Sequence, residues 1–265
     1  MKKLGILLGL LGVLGLCLFL MLNDENFGDD SVRELELHVA AGLQKPVEEI
    51  ARQYEDECGV KIMLNFGGSG QLLAKLEVAG GDLYLPADAS YVDKAREQGM
   101  IAESIPVSNL SAGIIIAKGN PQNIKTLQDL TRDDVRVVIA ERTAGVGKFT
   151  HTALENAGLL EAVENGIISK VATVNEVALQ VDLGASDAGI VWDALIPQFK
   201  QSEFVRVPDF DQSPNQIQAT ISVLISSENK AEALKFARFL VASDKGAKVF
   251  RKHGFDVQAG DQWEE

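Results

Sequence analysis

The chain has 265 residues, enough for two ordinary domains, and 46% of them are hydrophobic, enough to form a core. A formal net charge of −13 leaves no overall basic surface to replace counterions, which argues against nucleic acid as a partner. It also means that a small anion has to be captured by local dipoles and not by the overall field.

Met1-Lys2-Lys3 precedes an uncharged apolar run, Leu4 to Leu22, of about the length that spans a bilayer. Lysines before it and the acids Asp24, Glu25, Asp29 and Asp30 after it place the body of the protein outside the cytoplasm. No small-x-small cleavage site follows, and Leu16 precedes Cys17 where a lipoprotein signal has a small residue. The reading favours an uncleaved anchor over a cleaved signal or a lipidated Cys17, with Asn23 to Arg33 as an acidic tether. Cys17 and Cys58 then lie in different environments, so no intrachain disulfide is expected.

From Glu34 onward, strand patterns alternate with helix patterns. Leu35 to Val39 alternates as a strand, Ala40 to Gln44 turns, and Lys45 to Tyr54 reads as a helix with Pro46 in its first turn. Val60 to Phe66 is a second strand, followed at once by Gly67-Gly68-Ser69-Gly70 and a helix from Gln71. Asp82 to Pro86 is a third strand, with a helix through Tyr91 to Gln98 after it. Such alternation predicts a parallel sheet covered on both faces. The apolar strand Leu110 to Ala117, broken at Lys118-Gly-Asn-Pro121, reads as the crossing into a second lobe. There Val135 to Ala140 is a strand, Glu141 to Gly147 a loop, and Lys148 to Ala157 a helix. Ile168 to Val174 is a strand, Asn175 a candidate cap for a helix from Glu176 to Leu183, and Ala188 to Trp192 a buried strand. The return begins near Ile217 to Ile225, and helices over Ala231 to Val241 and Asp244 to His253 close the chain. Two crossings predict a cleft between lobes, with 34–108 and 220–265 in one lobe and 109–219 in the other.

The glycine loop carries the chemistry. A strand ending in three glycines around one serine, directly before a helix, lets an anion approach the main chain, the unpaired N–H groups of the helix start and the Ser69 hydroxyl. The competing reading is a loop in which Ser69 is a simple cap.

Ala40-Ala41-Gly42-Leu43, Phe66 to Gly70, Asp82 to Asp88, Gly189-Ile-Val-Trp192 and the ending from Lys235 through Phe255 together resemble the molybdate-binding proteins of ABC importers. The resemblance implies an α/β, two-lobed periplasmic binding fold of the Venus flytrap type, which closes on a tetrahedral oxyanion using hydroxyls and main-chain N–H groups. It implies no cofactor, and any metal enters as the oxyanion, not as a cation. The family's first-loop serine corresponds to Gly42 and its second-loop serine to Ser69, beside Gly68. Its alanine before a helix corresponds to Ala144, followed by Gly145, its helix-start valine to Val177, and its strand-ending tyrosine to Trp192. Gly42 removes a hydroxyl and Trp192 replaces a phenol with an indole N–H, which unsettles the identity of the anion more than its class. Arg142 is a candidate replacement donor that would favour a phosphate-type ion, against the alternative of a solvated loop charge.

Other motifs are weaker. Gly67 to Gln71 lacks the final glycine of a nucleophile elbow, and a Ser69–His253 hydrolase is the alternative of a different class. Gly145-Val-Gly147-Lys148 lacks the first glycine and the hydroxyl of a phosphate loop. The expected protein is therefore a monomeric extracytoplasmic receptor, held to the membrane by its N-terminal segment, that delivers molybdate or tungstate to an ABC permease. Sulfate and phosphate-type ions stand behind these two.

Overall fold

The computed structural model describes residues 33–210, 217–257 and 260–264. The expected anchor and lipidation site, and the tether up to Val32, lie outside the described residues, and Arg33, the expected end of the tether, opens the first strand. No helix among the described residues is long and apolar enough to cross a membrane.

The described residues hold two five-stranded sheets. The first contains β1 (Arg33–Ala40), β2 (Val60–Gly67), β3 (Leu83–Leu85), β4 (Ile101–Leu110) and β10 (Ile217–Leu224), in the order β2-β1-β3-β10-β4. The second contains β5 (Ala112–Ala117), β6 (Val137–Ala140), β7 (Ile167–Val171), β8 (Ala188–Trp192) and β9 (Ser202–Val205), in the order β7-β6-β8-β5-β9. The α-helices among the described residues are α1 (Gln44–Cys58), α2 (Ser69–Ala79), α3 (Ser90–Glu97), α4 (Gly145–Asn156), α5 (Leu160–Gly166), α6 (Val174–Asp182), α7 (Lys230–Val241) and α8 (Gly246–Lys252).

The sheets are mixed, not parallel as the alternation of strand and helix suggests. β1 runs parallel to β3, and β6 runs parallel to both β7 and β8. β10 is antiparallel to β3 and β4, and β5 is antiparallel to β8 and β9. The cause is the double crossing. β4 leaves the first sheet at Leu110, Ser111 links it to β5, and β10 begins at Ile217 in register with Leu110. A strand that returns beside the one that left must run the other way. The single strand expected over Leu110 to Ala117 is thus the end of β4 joined to β5, and the two belong to different sheets.

β4 was not legible because it is an edge strand with the irregular burial of a half-exposed ribbon and a proline, Pro106, at a bulge opposite Thr220. The sequence reading also leaves out β9 and α5.

Alternation within β1 and β3 builds two cores. Leu37 and Val39 sit in register with Leu83 and Leu85, all fully buried, and belong to the large core cluster with Val47, Ile50 and Tyr54 of α1 and Phe236 and Phe239 of α7. The intervening pair, His38 and Tyr84, points the other way. Tyr84 joins Leu72, Leu73 and Leu76 of α2 and Ala95 of α3 in a second cluster. Tyr54 locks the first layer, with its ring 5.0 Å from those of both Phe236 and Phe239. In the second sheet Ile114, Val137, Val138 and Val191 are fully buried. The C-terminal ends of β1, β2, β6 and β7 each run through a short turn into a helix start, which leaves those starts clustered where the two sheets face each other.

Candidate functional site

A cavity of about 10 Å³ lies among these starts, far below the roughly 300 to 1,000 Å³ of metabolite-sized sites. The first lobe lines it with Ala40, Ala41, Gly42, Gly67, Gly68, Ser69 and Ala87, and the second with Ala144, Gly145, Val146, Thr173, Val174 and Trp192. Among the described residues no lining side chain is charged. What faces the space is backbone, methyl groups, two hydroxyl-bearing residues and an indole.

Ser69 is the first residue of α2 and is 1% exposed. Its Oγ accepts the N–H of Ala87 at 3.3 Å, while its carbonyl oxygen accepts the Tyr84 hydroxyl at 2.7 Å. With that lone pair engaged, the Ser69 hydroxyl proton remains to be donated. Burial holds the Tyr84 phenol well above the ordinary phenol range, so this donor stays protonated. The sequence alternatives for Ser69 meet here: it opens the helix without capping it, and its side chain is at the cavity.

The starts of α4 and α6 supply the opposite wall. Gly145 and Val146 open α4, and Val174 and Asn175 open α6; their amides lie in the first turn, where no intrahelical acceptor exists. Ala144 is the cap of α4, and its own N–H donates to Glu141 O at 2.9 Å, so Ala144 shapes the wall while Gly145 and Val146 carry the donors. Helix α6 starts earlier than Asn175 and Glu176 suggest. Thr173 is its cap, with Oγ1 accepting Glu176 N–H at 3.3 Å and Glu176 Oε2 accepting Ala172 N–H at 2.8 Å. Asn175 instead donates from Nδ2 to Ala41 O at 2.9 Å, joining the two lobes. Because of this shift Val177 is not at the cavity: it is fully buried, and its N–H donates to Thr173 O at 3.3 Å. Thr173 and Val174 take the lining positions. The Thr-x-x-Glu pattern at Thr173 to Glu176 was the available signal for them.

Gly42 and Trp192 line the cavity together. A β-carbon on Gly42 would stand 3.0 Å from Val174 Cγ1 and 3.6 Å from Trp192 Cδ1. The indole, 1% exposed, is wedged against Phe149 with ring centroids 5.7 Å apart. Its Cδ1 edge, which adjoins the N–H, faces the Gly42 turn. Arg142 is placed elsewhere: its guanidinium donates to Glu155 Oε1 at 2.9 Å on the exposed side of α4, and it does not line the cavity. The three histidines are apart from it as well. His38 and His151 are buried in the layers, and His253 lies against Glu49 at 3.0 Å.

The profile of the bacterial extracellular solute-binding proteins matches residues 35–256. A putative binding protein of Haemophilus influenzae is 31% identical over 230 residues, spanning 84% of this chain and 90% of that one. The molybdate-binding protein ModA of Mycobacterium bovis is 28% identical over 228 residues, 84% of each chain. Among solved structures, the periplasmic molybdate-binding protein of Azotobacter vinelandii superposes with a TM-score of 0.68 at 18% identity, covering 84% of this chain and 99% of that one. The chain therefore belongs to the bacterial extracellular solute-binding protein family and has the two-lobed fold of the molybdate-binding proteins.

Proposed function

We propose that this protein captures a small, fully deprotonated tetrahedral oxyanion, molybdate or tungstate, outside the cytoplasm and passes it to an ABC permease. The observation that carries this reading is the ring of helix starts and the Ser69 hydroxyl around one cavity that has no charged lining among the described residues. Uncharged donors of this kind suit an anion held by partial charges, and the sequence relatives include proteins named for molybdate. In this reading Gly42, Gly68, Ser69, Ala144, Gly145 and Trp192 form the ligand shell. Val174 takes the part expected of Val177, and Arg142 is left out.

The lining also ranks the anions. A ligand that keeps a proton needs an acceptor for it, and among the described residues no carboxylate or imidazole lines the cavity. A hydrogen phosphate O–H would therefore meet only hydroxyl and carbonyl acceptors, weaker partners for it than a carboxylate. Sulfate, which like molybdate is fully deprotonated near neutrality, is the second reading. A phosphate-type ion loses its main support, since the Arg142 guanidinium is engaged by Glu155. Hydrolysis at Ser69 gains none, because no histidine lines the cavity to take its proton.

The receptor works as a monomer whose N-terminal segment tethers it to the membrane. It gathers donors from both lobes as they close, and the permease meets the closed form. Thermal unfolding with molybdate, tungstate, sulfate and phosphate tests the reading. A ligand at about a thousand times its Kd adds roughly 4 kcal/mol of stability. Stabilisation by molybdate and tungstate is expected, and a flat response to all four overturns oxyanion capture.

A further inference from the structure

Along one rim of the cleft the lobes meet through residues that do not line the cavity. Gly70 N–H of the first lobe donates to Thr143 O of the second at 2.7 Å. A β-carbon on Gly70 would stand 2.9 Å from that oxygen and 3.0 Å from Tyr91 Cε1, so the approach admits no side chain. Tyr91 OH spans the same gap to Arg142 O at 3.2 Å and Thr143 O at 3.4 Å. Burial, followed by the charge of Asp88, pushes this phenol up to about 12 and keeps it a donor. Beside it, Lys148 of α4 reaches back to the first lobe. Its Nζ donates to Ser90 Oγ at 2.5 Å, stands 3.8 Å from Asp88 Oδ2 and lies 5.5 Å from the centre of the Tyr91 ring.

Asp88 gives this contact its meaning. Its side chain is 12% exposed, its Oδ1 accepts Ser90 N–H at 2.9 Å, and its β-carbon is 3.5 Å from where a side chain on Gly145 would begin. With the lobes in contact, a carboxylate thus sits largely out of water at the edge of a site read above as anion-binding. An unpaired charge there opposes closure. Among the described residues Lys148 is the cation within salt-bridge distance of it, and it comes from the opposite lobe.

We propose that Lys148 is a positioning residue, an inter-lobe latch whose charge cancels that of Asp88 on closure and so sets oxyanion affinity without touching the ligand. The proposal rests on the oxyanion-receptor reading for its ligand and on the rim geometry for its mechanism. Its signature is a loss of affinity that is uniform across ligands, since the latch biases the closed state and makes no contact that distinguishes one ion from another.

The test is calorimetric titration of the full chain with molybdate, tungstate, sulfate and phosphate for wild type, Lys148→Met and the double variant Lys148→Met/Asp88→Asn, together with small-angle scattering of the ligand-free proteins. Lys148→Met should weaken every ion that wild type binds by one common factor of about ten. The double variant should regain most of that loss, because the Asp88→Asn change keeps an oxygen to accept Ser90 N–H and sheds the charge. Ligand-free Lys148→Met should have the larger radius of gyration. An unchanged affinity, a loss that differs between ions, or no recovery in the double variant overturns the latch. Should wild type bind none of the four ions, the receptor reading fails on its own, and the scattering alone judges the latch, equal radii counting against it.

Discussion

Trp192 Cδ1 lies 3.6 Å from the point where a β-carbon on Gly42 would stand, with Val174 Cγ1 closer still at 3.0 Å. The missing side chain of one residue and the bulk of the other thus form a single packing arrangement. Gly42→Ser should crowd Val174, bring its side chain against Leu195 and the indole, and cost about 1–3 kcal/mol in chemical denaturation. Trp192→Tyr should leave a gap and remove the indole N–H. Combining the two should cost less than the sum of their separate losses, with a coupling of about 0.5–3 kcal/mol in a double-mutant cycle. Strict additivity would mean that the two residues are independent.

Ser69→Ala removes a hydroxyl that faces the cavity and also leaves the Ala87 N–H without its acceptor. Ligand affinity should fall roughly 10- to 100-fold, and ligand-free stability by about 1–3 kcal/mol. Calorimetry and urea unfolding measure the two effects separately. Unlike the loss at Lys148, the affinity loss here should differ between anions of different size, because the hydroxyl meets the ligand directly.

Thr173→Ala removes the cap of α6. About 1 kcal/mol of stability should be lost, a fall in Tm of roughly 2–4 °C for a chain of this size. Affinity should fall with it, since Val174 and Asn175 are held by that turn. Asn175→Ala should leave Tm nearly unchanged and weaken binding, because its side chain spans to Ala41 O and does not cap the helix.

His38 and His151 are buried, and burial is the largest cause lowering the pKa of each. A folded-state pKa below the unfolded value means that the unfolded chain takes up the proton first. The stability contributed by each neutral imidazole is complete above about pH 6.5, and it is lost as the pH falls from there towards the lowered folded value. Urea midpoints should therefore decline on acidification through this window. His151→Leu should flatten part of the decline, leaving the share due to His38. Glu49, held below the ordinary carboxylate range by its bonds to Lys252 and His253, adds a separate loss at lower pH, as the solution passes from its unfolded towards its folded value.

Much of the candidate site was legible in the chain. The small residues after β1, the Gly-Gly-Ser-Gly run after β2 and the Ala-Gly step before α4 all mark helix starts, and such starts are specified locally by turn and capping chemistry. Trp192 was legible as the end of an apolar strand. Other features depended on distant partners. Val177 gave way to Val174 because the Thr173–Glu176 capping box starts α6 early, and Arg142 was drawn away by Glu155, one helical stretch further on. β4 carries little alternation because it is an edge strand, and it is held by β10, more than a hundred residues later.

Alternating strand and helix patterns, short-range turn chemistry and a net charge of −13 were enough by themselves to specify an acidic α/β chain with several glycine- and alanine-rich helix starts. These properties arise from neighbours in sequence. The mixed direction of the sheets, the size of the cavity and the Lys148–Asp88 and Gly70–Thr143 contacts were decided only by the tertiary structure. Each depends on where two remote segments come to rest after the chain has crossed between lobes twice, and no local propensity encodes that distance.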